Sequence, residues 1–468
     1  MPYEKELANK AAHFDIVKNP EVAQFLKDCE YLQPPSDEEV QKIATKFEVP
    51  PSSNNAAFPE QVIAIDGSLH ESSIDDKLPS TKIGYVKVSS VLIDMARYGA
   101  LRVDDGRFVD PFRVAEIENS NSPLAFSLPS ANIRIQGQKS VRDSFRALVD
   151  QHLYSQKTRF IEADASTSLR TTLFHLASQR PGEMGTGDPS KLKIHKCPTC
   201  DKGPIALRDV PDDQKCQFCG SVVYPSDCLR VWEEVSDFQS NYQAMSRFML
   251  QVEHILPIHY ARFLMSQSPA SLASTVFFID GPLAVFGNGA WLHASIMRYL
   301  DHLKTDLGKL GLPPILLIGL QKTGQVVDHV KLIDRFLQSN RLFAIDDDYR
   351  YKYILAGREP SSNGFGSETY YGQDFIYKTP SGRVFVFAIP YPFGMKQIAG
   401  INFVTAKTEF GRYPDLSRAL ALINHFETDL YQNAVVPIAL AHRYTAISLS
   451  PGGRVLDLMT RKAMTAKT

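Results

Sequence analysis

The sequence predicts a mixed α/β fold: one mixed sheet flanked by helices, with an inserted four-cysteine module and a helical N-terminal arm. Three observations predict it. Three strand-like segments follow one another between residues 61 and 109, a helical stripe joins two apolar strand-like runs between residues 275 and 320, and two CxxC pairs lie in between. The chain has 468 residues, room for about three domains or for one large core with insertions. Hydrophobic residues make up 44%, aromatic residues 10% and charged residues 22%, which excludes the disordered, collagen-like and disulfide-scaffold classes. Lys and Arg total 51 against 52 for Asp and Glu, a formal net charge of −1. No global positive field therefore advertises nucleic acid, and any such surface is local.

Residues 1–55 form the arm, with helix-like spacing over Glu4–Val17 and Asp37–Phe47 and a turn-rich linker over Pro50–Asn55. The opening MPYEKELANK is charged and has no apolar h-region, which argues against export. The apolar runs Thr275–Phe286 and Pro314–Leu320 are too short, or too interrupted by Asp280, for the roughly 18–20 residues of a membrane helix. The expectation is a cytoplasmic chain with no membrane partner. The first part of the core spans 56–180. Gln61–Asp66 (QVIAID) is a short strand closed by Gly67 and Ser68, Lys82–Asp94 alternates with β-branched residues, and a third strand falls near Leu101–Val109. Residues 181–230 are the insertion: a turn-rich PGEMGTGDPSK, the paired cysteines, and Pro225–Cys228 leading into a helix. The core resumes over 231–468. Phe238, Tyr242, Met245, Met249, Val252 and Leu256 recur at helical spacing until Pro257, which ends or kinks the helix. TVFFID at 275–280, stopped by Gly281 and Pro282, is a strand buried on both faces. Leu292, Ile296, Leu300, Leu303, Leu307 and Leu310 form a helix stopped by Gly311 and Pro313, and PILLIGL at 314–320 is the next buried strand. Two strands joined by one helix are most simply parallel, with a right-handed crossover. Phe343–Gly411 yields one clear strand, Arg383–Pro390. Leu416, Leu420, Ile423, Phe426 and Leu430 mark a helix, VVPIALAHRYTAIS is a compact apolar segment, and the last residues, with Arg461, Lys462 and Lys467, read as a frayed basic tail.

The sharpest spacing is Cys197-x2-Cys200-x15-Cys216-x2-Cys219, in which each CxxC folds into a knuckle and the pair completes a tetrahedron around zinc. Four protein ligands close the shell, so this zinc would be structural. Lys193, His195, Lys196, Lys202 and Lys215 around it make either a contact for DNA or a partner, or a solvated face. Cys29 and Cys228 read as buried small hydrophobes. Asp66 in AIDGS and Asp280 in FIDGP each end an apolar strand before a glycine. A lone Asp-Gly usually only starts a turn. Two on core strands, however, place two carboxylates at the sheet rim that faces ligands in open α/β folds, where Mg2+ or Mn2+ relieves their repulsion. Glu253 lies on or near the buried side of its helix. Alone it reads as the partner of a base such as Arg247 or Arg262; with both aspartates it completes a carboxylate set suited to two-metal cleavage of phosphodiesters. Lys322 in GLQKTG is a surface lysine or a phosphate contact, and His442 a satisfied core residue or a catalyst. GNGAW at 287–291 lacks the Lys-Ser/Thr end of a P-loop and reads as loop.

In this order the motifs resemble the NurA nuclease family: AIDGS at 64–68, the helix with Glu253, FIDGPL at 278–283, GLQKTG at 319–324, and the terminal VVPIALAHRYTAIS. The resemblance spans residues 60–450, with the zinc ribbon as a departure from the simplest members. It implies an RNase H-like core and a nuclease that uses Mn2+ (or Mg2+), two ions per site, on DNA ends and single strands. It also implies a homodimer that works with the hexameric DNA translocase HerA in end processing or phage defence. By position Asp66, Glu253 and Asp280 would bind metal, and His442 would complete the site or assist proton transfer; Glu162, Glu233 and Glu234 compete with Glu253. Two other functions stay open: a non-catalytic zinc-ribbon adaptor that docks DNA or its motor, and an RNA-directed RNase H-like nuclease.

Overall fold

Strand β1, Gln61–Ser73, is the axis of the architecture. In the computed structural model residues 9, 11–29, 34–52, 57–100, 102–103, 108–109, 121–355, 358–428 and 434–465 are described. Leu101, Leu430, Lys467, most of Glu4–Lys10 and the linker tip at 53–56 lie outside them. On one side β1 pairs antiparallel with β2, Lys82–Asp94, which pairs antiparallel with β3, Asn121–Pro129. On the other side it pairs parallel with β4, Thr275–Asp280, and β4 pairs parallel with β5, Leu316–Gln321. The order β3-β2-β1-β4-β5, three antiparallel strands followed by two parallel to the first, is the RNase H-like arrangement. Three further antiparallel strands, β6 (Arg341–Ala344), β7 (Gly372–Lys378) and β8 (Val384–Pro390), extend the sheet beyond β5 in the order β8-β7-β6, giving eight strands.

Helices cover both faces, and the alternation along β1 shows why. Ile63 and Ile65 pack into one core with Phe248, Val252 and Leu256 of the long helix α3, Tyr242–Gln267. The same core holds residues of α1 (Val141–Tyr154), α2 (Leu169–Ser178) and α4 (Leu292–Lys309). Val62 and Ala64 point the other way, into a core with Leu420 and Ile423 of α6 (Leu416–Phe426) and Ile438 and Leu440 of α7 (Val436–Thr445). Each fully buried aliphatic or aromatic side chain of these layers contributes about 1.5–3 kcal/mol. Helix α5, Gln325–Ile333, packs with Val40 and Ile43 of the helix Asp37–Ala44, which Ser36 and Glu39 begin with a reciprocal capping box.

Several expectations need correction. β1 does not stop at Asp66 but runs on in unbroken register with β2 to Ser73. The third strand of the large sheet is not the one expected near Leu101–Val109: among the described residues Arg102–Val103 and Phe108–Val109 pair with each other as a separate two-stranded sheet, and Asn121–Pro129 takes the third place. Pro257 does not end α3, which continues to Gln267. After Cys228 the chain forms short 3-10 turns rather than a helix. The basic tail is a helix, α8, Gly452–Thr465. Cys228 is buried, but Cys29 is exposed, because it follows a helix, Pro20–Asp28, that buries no residue. Among the described residues no helix is long and apolar enough to cross a membrane.

Candidate active site

Parallel pairing of β1 with β4 sets Ile65 beside Ile279, so the next residues, Asp66 and Asp280, are neighbours on the side facing α7. Gly281, at φ +107°, turns the chain away after Asp280. Helix α7 then brings His442 over the pair. Ligand atoms of Asp66, Asp280 and His442 lie within 4.8 Å of one another. Asp66 is held on both oxygens: Oδ1 accepts the Gly67 N–H at 2.8 Å, and Oδ2 accepts His442 Nδ1–H at 2.8 Å with the Thr445 hydroxyl 3.2 Å away. Lys87 of β2 donates to the carbonyl of Tyr444 and so anchors the last turn of α7 to the sheet. Lys322, just past the end of β5, places Nζ 2.6 Å from Asp280 Oδ2.

Glu253 approaches from the opposite face. It is 3% exposed, and its carboxylate lies against Gly67: a Cβ there would be 2.4 Å from Glu253 Oε1 and 2.7 Å from Met249 Cγ. The glycine after Asp66 therefore serves close packing rather than a turn. Pro257 lacks an N–H, so the carbonyl of Glu253, four residues earlier, loses its usual partner in the helix ladder. Of the competing acids, Glu233 pairs with Arg230 and Asn288, Glu234 lies 3.6 Å from Arg247, and Glu162 is exposed. Burial drives the Glu253 carboxyl well above its ordinary value, and the charges of Asp66 and Asp280 push in the same direction. Burial raises Asp280 to about 6; the Lys322 ammonium opposes the rise and Asp66 adds to it. Thr445 and Lys87 were not nominated from the sequence, since what marks them is contact with residues far along the chain.

The four cysteines form a separate cluster. Cys197 and Cys219 sulfurs are 3.7 Å apart, and those of Cys200 and Cys216 are 3.8 Å apart. A tetrahedron with metal–sulfur bonds of about 2.3 Å has edges of about 3.8 Å, so the cluster fits a four-thiolate metal. The two knuckles repeat one backbone pattern. Thr199 and Phe218 donate N–H to Cys197 and Cys216 sulfurs, and the left-handed residues Asp201 and Gly220 close the turns. The Ser221 side chain and backbone draw the Cys219 thiol down to about 6. Nearby, Lys196 pairs with Asp201 and Lys193 donates to the Glu183 carbonyl.

Comparison with known families decides the lineage: the family described as NurA domain matches residues 60–447. The chain belongs to the NurA family. NurA is a nuclease family, and the matched span contains both aspartates, Glu253, Lys322 and His442 as well as the cysteine insertion. Among solved structures, the NurA nuclease from Sulfolobus solfataricus aligns over 98% of this chain and 95% of its own, at 9% identity and a TM-score of 0.34. Another NurA crystal structure aligns over 92% and 95%, at 12% identity and a TM-score of 0.29. A sequence comparison with curated proteins finds no match.

Proposed function

We propose that this NurA-family chain is a divalent-metal-dependent deoxyribonuclease in which Asp66, Glu253, Asp280 and His442 hold Mn2+ or Mg2+, two ions per site, and Lys322 contacts phosphate. The observation that carries the reading is the meeting of Asp66 and Asp280, from two neighbouring strands, with His442 of α7 at one rim of an RNase H-like sheet; Glu253 reaches Gly67 from the other face, near enough for the charges of both aspartates to act on it. The donor set fits: hard carboxylate oxygens with one imidazole suit these ions, and three acids beside one lysine leave negative charge to be countered. When bound, the cations supply charge that neutralises the phosphodiester and lower the pKa of the attacking water. The chain's residues do the rest. Gly67, Thr445 and His442 orient Asp66. With Nδ1–H donated to Asp66, the other ring nitrogen of His442 is the one that would complete the metal's shell, and the attacking water's proton passes to solvent as the new O–P bond forms and the bond to the leaving oxygen breaks. Lys322 donates to a phosphate oxygen and tempers the charge on Asp280.

The finer assignments rest on the family: DNA ends and single strands as substrate, a homodimer, a HerA-type hexameric ATPase as partner, end processing or phage defence as the role, and the cytoplasm as the place. The four-cysteine ribbon at 181–230 would carry structural zinc between the two parts of the nuclease core, 56–180 and 231–468, with 1–55 as the arm. The test is cleavage of end-labelled linear and single-stranded DNA, with RNA alongside, in Mn2+, Mg2+ or EDTA. Degradation of DNA that needs the metal and disappears in a folded Asp280→Ala variant is expected. Cleavage that survives in Asp280→Ala and Asp66→Ala would overturn it.

A further inference from the structure

Helix α8 lies beyond the residues that the family matches, and the chemistry above does not use it. Its first residue, Gly452, and the turn before it nevertheless line the cleft that opens at His442. This cleft of about 750 Å3 is lined by Lys322, His442 and Arg443 and by Leu449, Pro451 and Gly452 at the turn into α8. That size falls within the roughly 300–1,000 Å3 of small-molecule sites, enough for a short piece of one strand and not for a duplex.

The attachment of α8 is polar. Asp457 Oδ1 accepts from Ser72 Oγ at 2.5 Å and lies 2.9 Å from His70 Nε2. The Tyr85 and Thr460 hydroxyls are 2.6 Å apart, and Arg461 reaches Asp76 at 2.8 Å. Apolar burial contributes little. Of the helix residues whose burial is described, only Gly453 and Thr460 are buried, while Val455, Leu458 and Met459 are 57%, 67% and 49% exposed. Hydrogen bonds of this kind contribute about 0.5–1.5 kcal/mol each, and exposed ion pairs less. Such an element belongs to the part of a fold that opens locally before the core does.

We propose that α8 is a clasp on the catalytic cleft: closed, it makes the nuclease take a single strand by its end, and released, it lets an internal stretch be laid in from the side. The inference rests on the nuclease reading. Asp457 is its positioning residue, acting through the helix rather than on substrate. The experiment compares a linear single-stranded DNA with a covalently closed circle of the same sequence. Binding is followed by fluorescence anisotropy in EDTA, and cleavage in Mn2+. Wild type should favour the linear strand by about tenfold or more, the order of effect that one or two such contacts supply. Asp457→Ala, and a chain ending at Ser448, should handle circle and linear strand nearly alike. Asp457→Asn, which still accepts from Ser72, should restore the preference. Tyr85→Phe removes only the Thr460 contact and should give an intermediate ratio even if the shortened chain fails to fold. Equal ratios in wild type and Asp457→Ala would overturn the clasp and leave the nuclease reading standing. A wild type that neither binds nor cleaves either substrate would overturn both.

Discussion

A side chain at position 67 would collide with Glu253 Oε1 at 2.4 Å and with Met249 Cγ at 2.7 Å. Gly67→Ala is therefore expected to displace Glu253, at a cost of about 1–3 kcal/mol of stability from overpacking. Metal-dependent cleavage should fall far more than the melting temperature, and calorimetry with Mn2+ should show weaker binding. Asp280 gives a prediction of opposite sign. Its carboxyl rises in the fold from 3.8 to about 6, so the charged form is disfavoured and costs stability above pH 6. That cost disappears as the pH falls below 3.8. About two pH units correspond to at most about 3 kcal/mol, reduced because Lys322 loses its partner when the charge goes. Asp280→Asn should thus abolish cleavage yet raise the melting temperature in EDTA at pH 7.5. A lower one would show that the site is not under electrostatic strain. The two aspartates were legible because each follows a run of buried residues. The role of Gly67 was not, because its reason is a glutamate 186 residues later on another element.

The ribbon is the element whose role was plainest in the sequence, since the CxxC spacing fixes the knuckles before any tertiary contact exists. Its packing was less plain. Leu192, Ile194, Ile205 and Leu207 of its first hairpin share a core with Phe174 and Leu176 of α2, so a metal held by the four cysteines would support more than a solvated module. One zinc per chain is expected by elemental analysis. Cys216→Ser should lose it and the several kcal/mol that such sites add, lowering the melting temperature while cleavage per folded molecule persists. A variant that keeps its stability, or folds fully yet cleaves nothing, would place the ribbon elsewhere in the mechanism. Strand β2 showed through its alternation, and β1, β4, β5 and β8 through short apolar runs. β3, β6 and β7 did not, because Asn121–Pro129 begins with turn-forming residues, and β6 and β7 sit among tyrosines and glycines that obscure a period of two. α8 was hidden for a related reason: Val455, Leu458 and Met459 face solvent, and its contacts to β1 and β2 are polar.

Across the whole molecule, the two cores differ in what holds them neutral. On the α3 side two histidines are completely enclosed. His259 accepts the Thr172 hydroxyl at Nδ1, 2.8 Å away, and donates from Nε2 to the Thr158 carbonyl at 2.9 Å; His254 lies 2.6 Å from the Tyr371 hydroxyl. Burial lowers His259 to about 3 and His254 to about 4, and it lowers His175, His293 and His329 to about 4 as well. The unfolded chain takes up protons near pH 6.5 that the fold refuses. The stability these histidines confer is complete above 6.5 and is lost as the pH falls towards 4. At pH 5 each of the two enclosed rings costs about 2 kcal/mol, and total stability is of the order of 5–15 kcal/mol. The protein is therefore expected to lose a large part of its stability, and to melt at a markedly lower temperature, by pH 5. The two raised carboxyls work the other way in metal-free protein, since Glu253 and Asp280 relax as they protonate. In EDTA the melting temperature should not fall between pH 8 and 6.5 and should fall from 6.5 to 5, more steeply with Mn2+ present, because the metal removes that compensation and itself dissociates as the acids take up protons. His259→Gln should flatten the fall in both series. A melting temperature independent of pH down to 5 would mean that these rings are charged, or hydrated, in the fold.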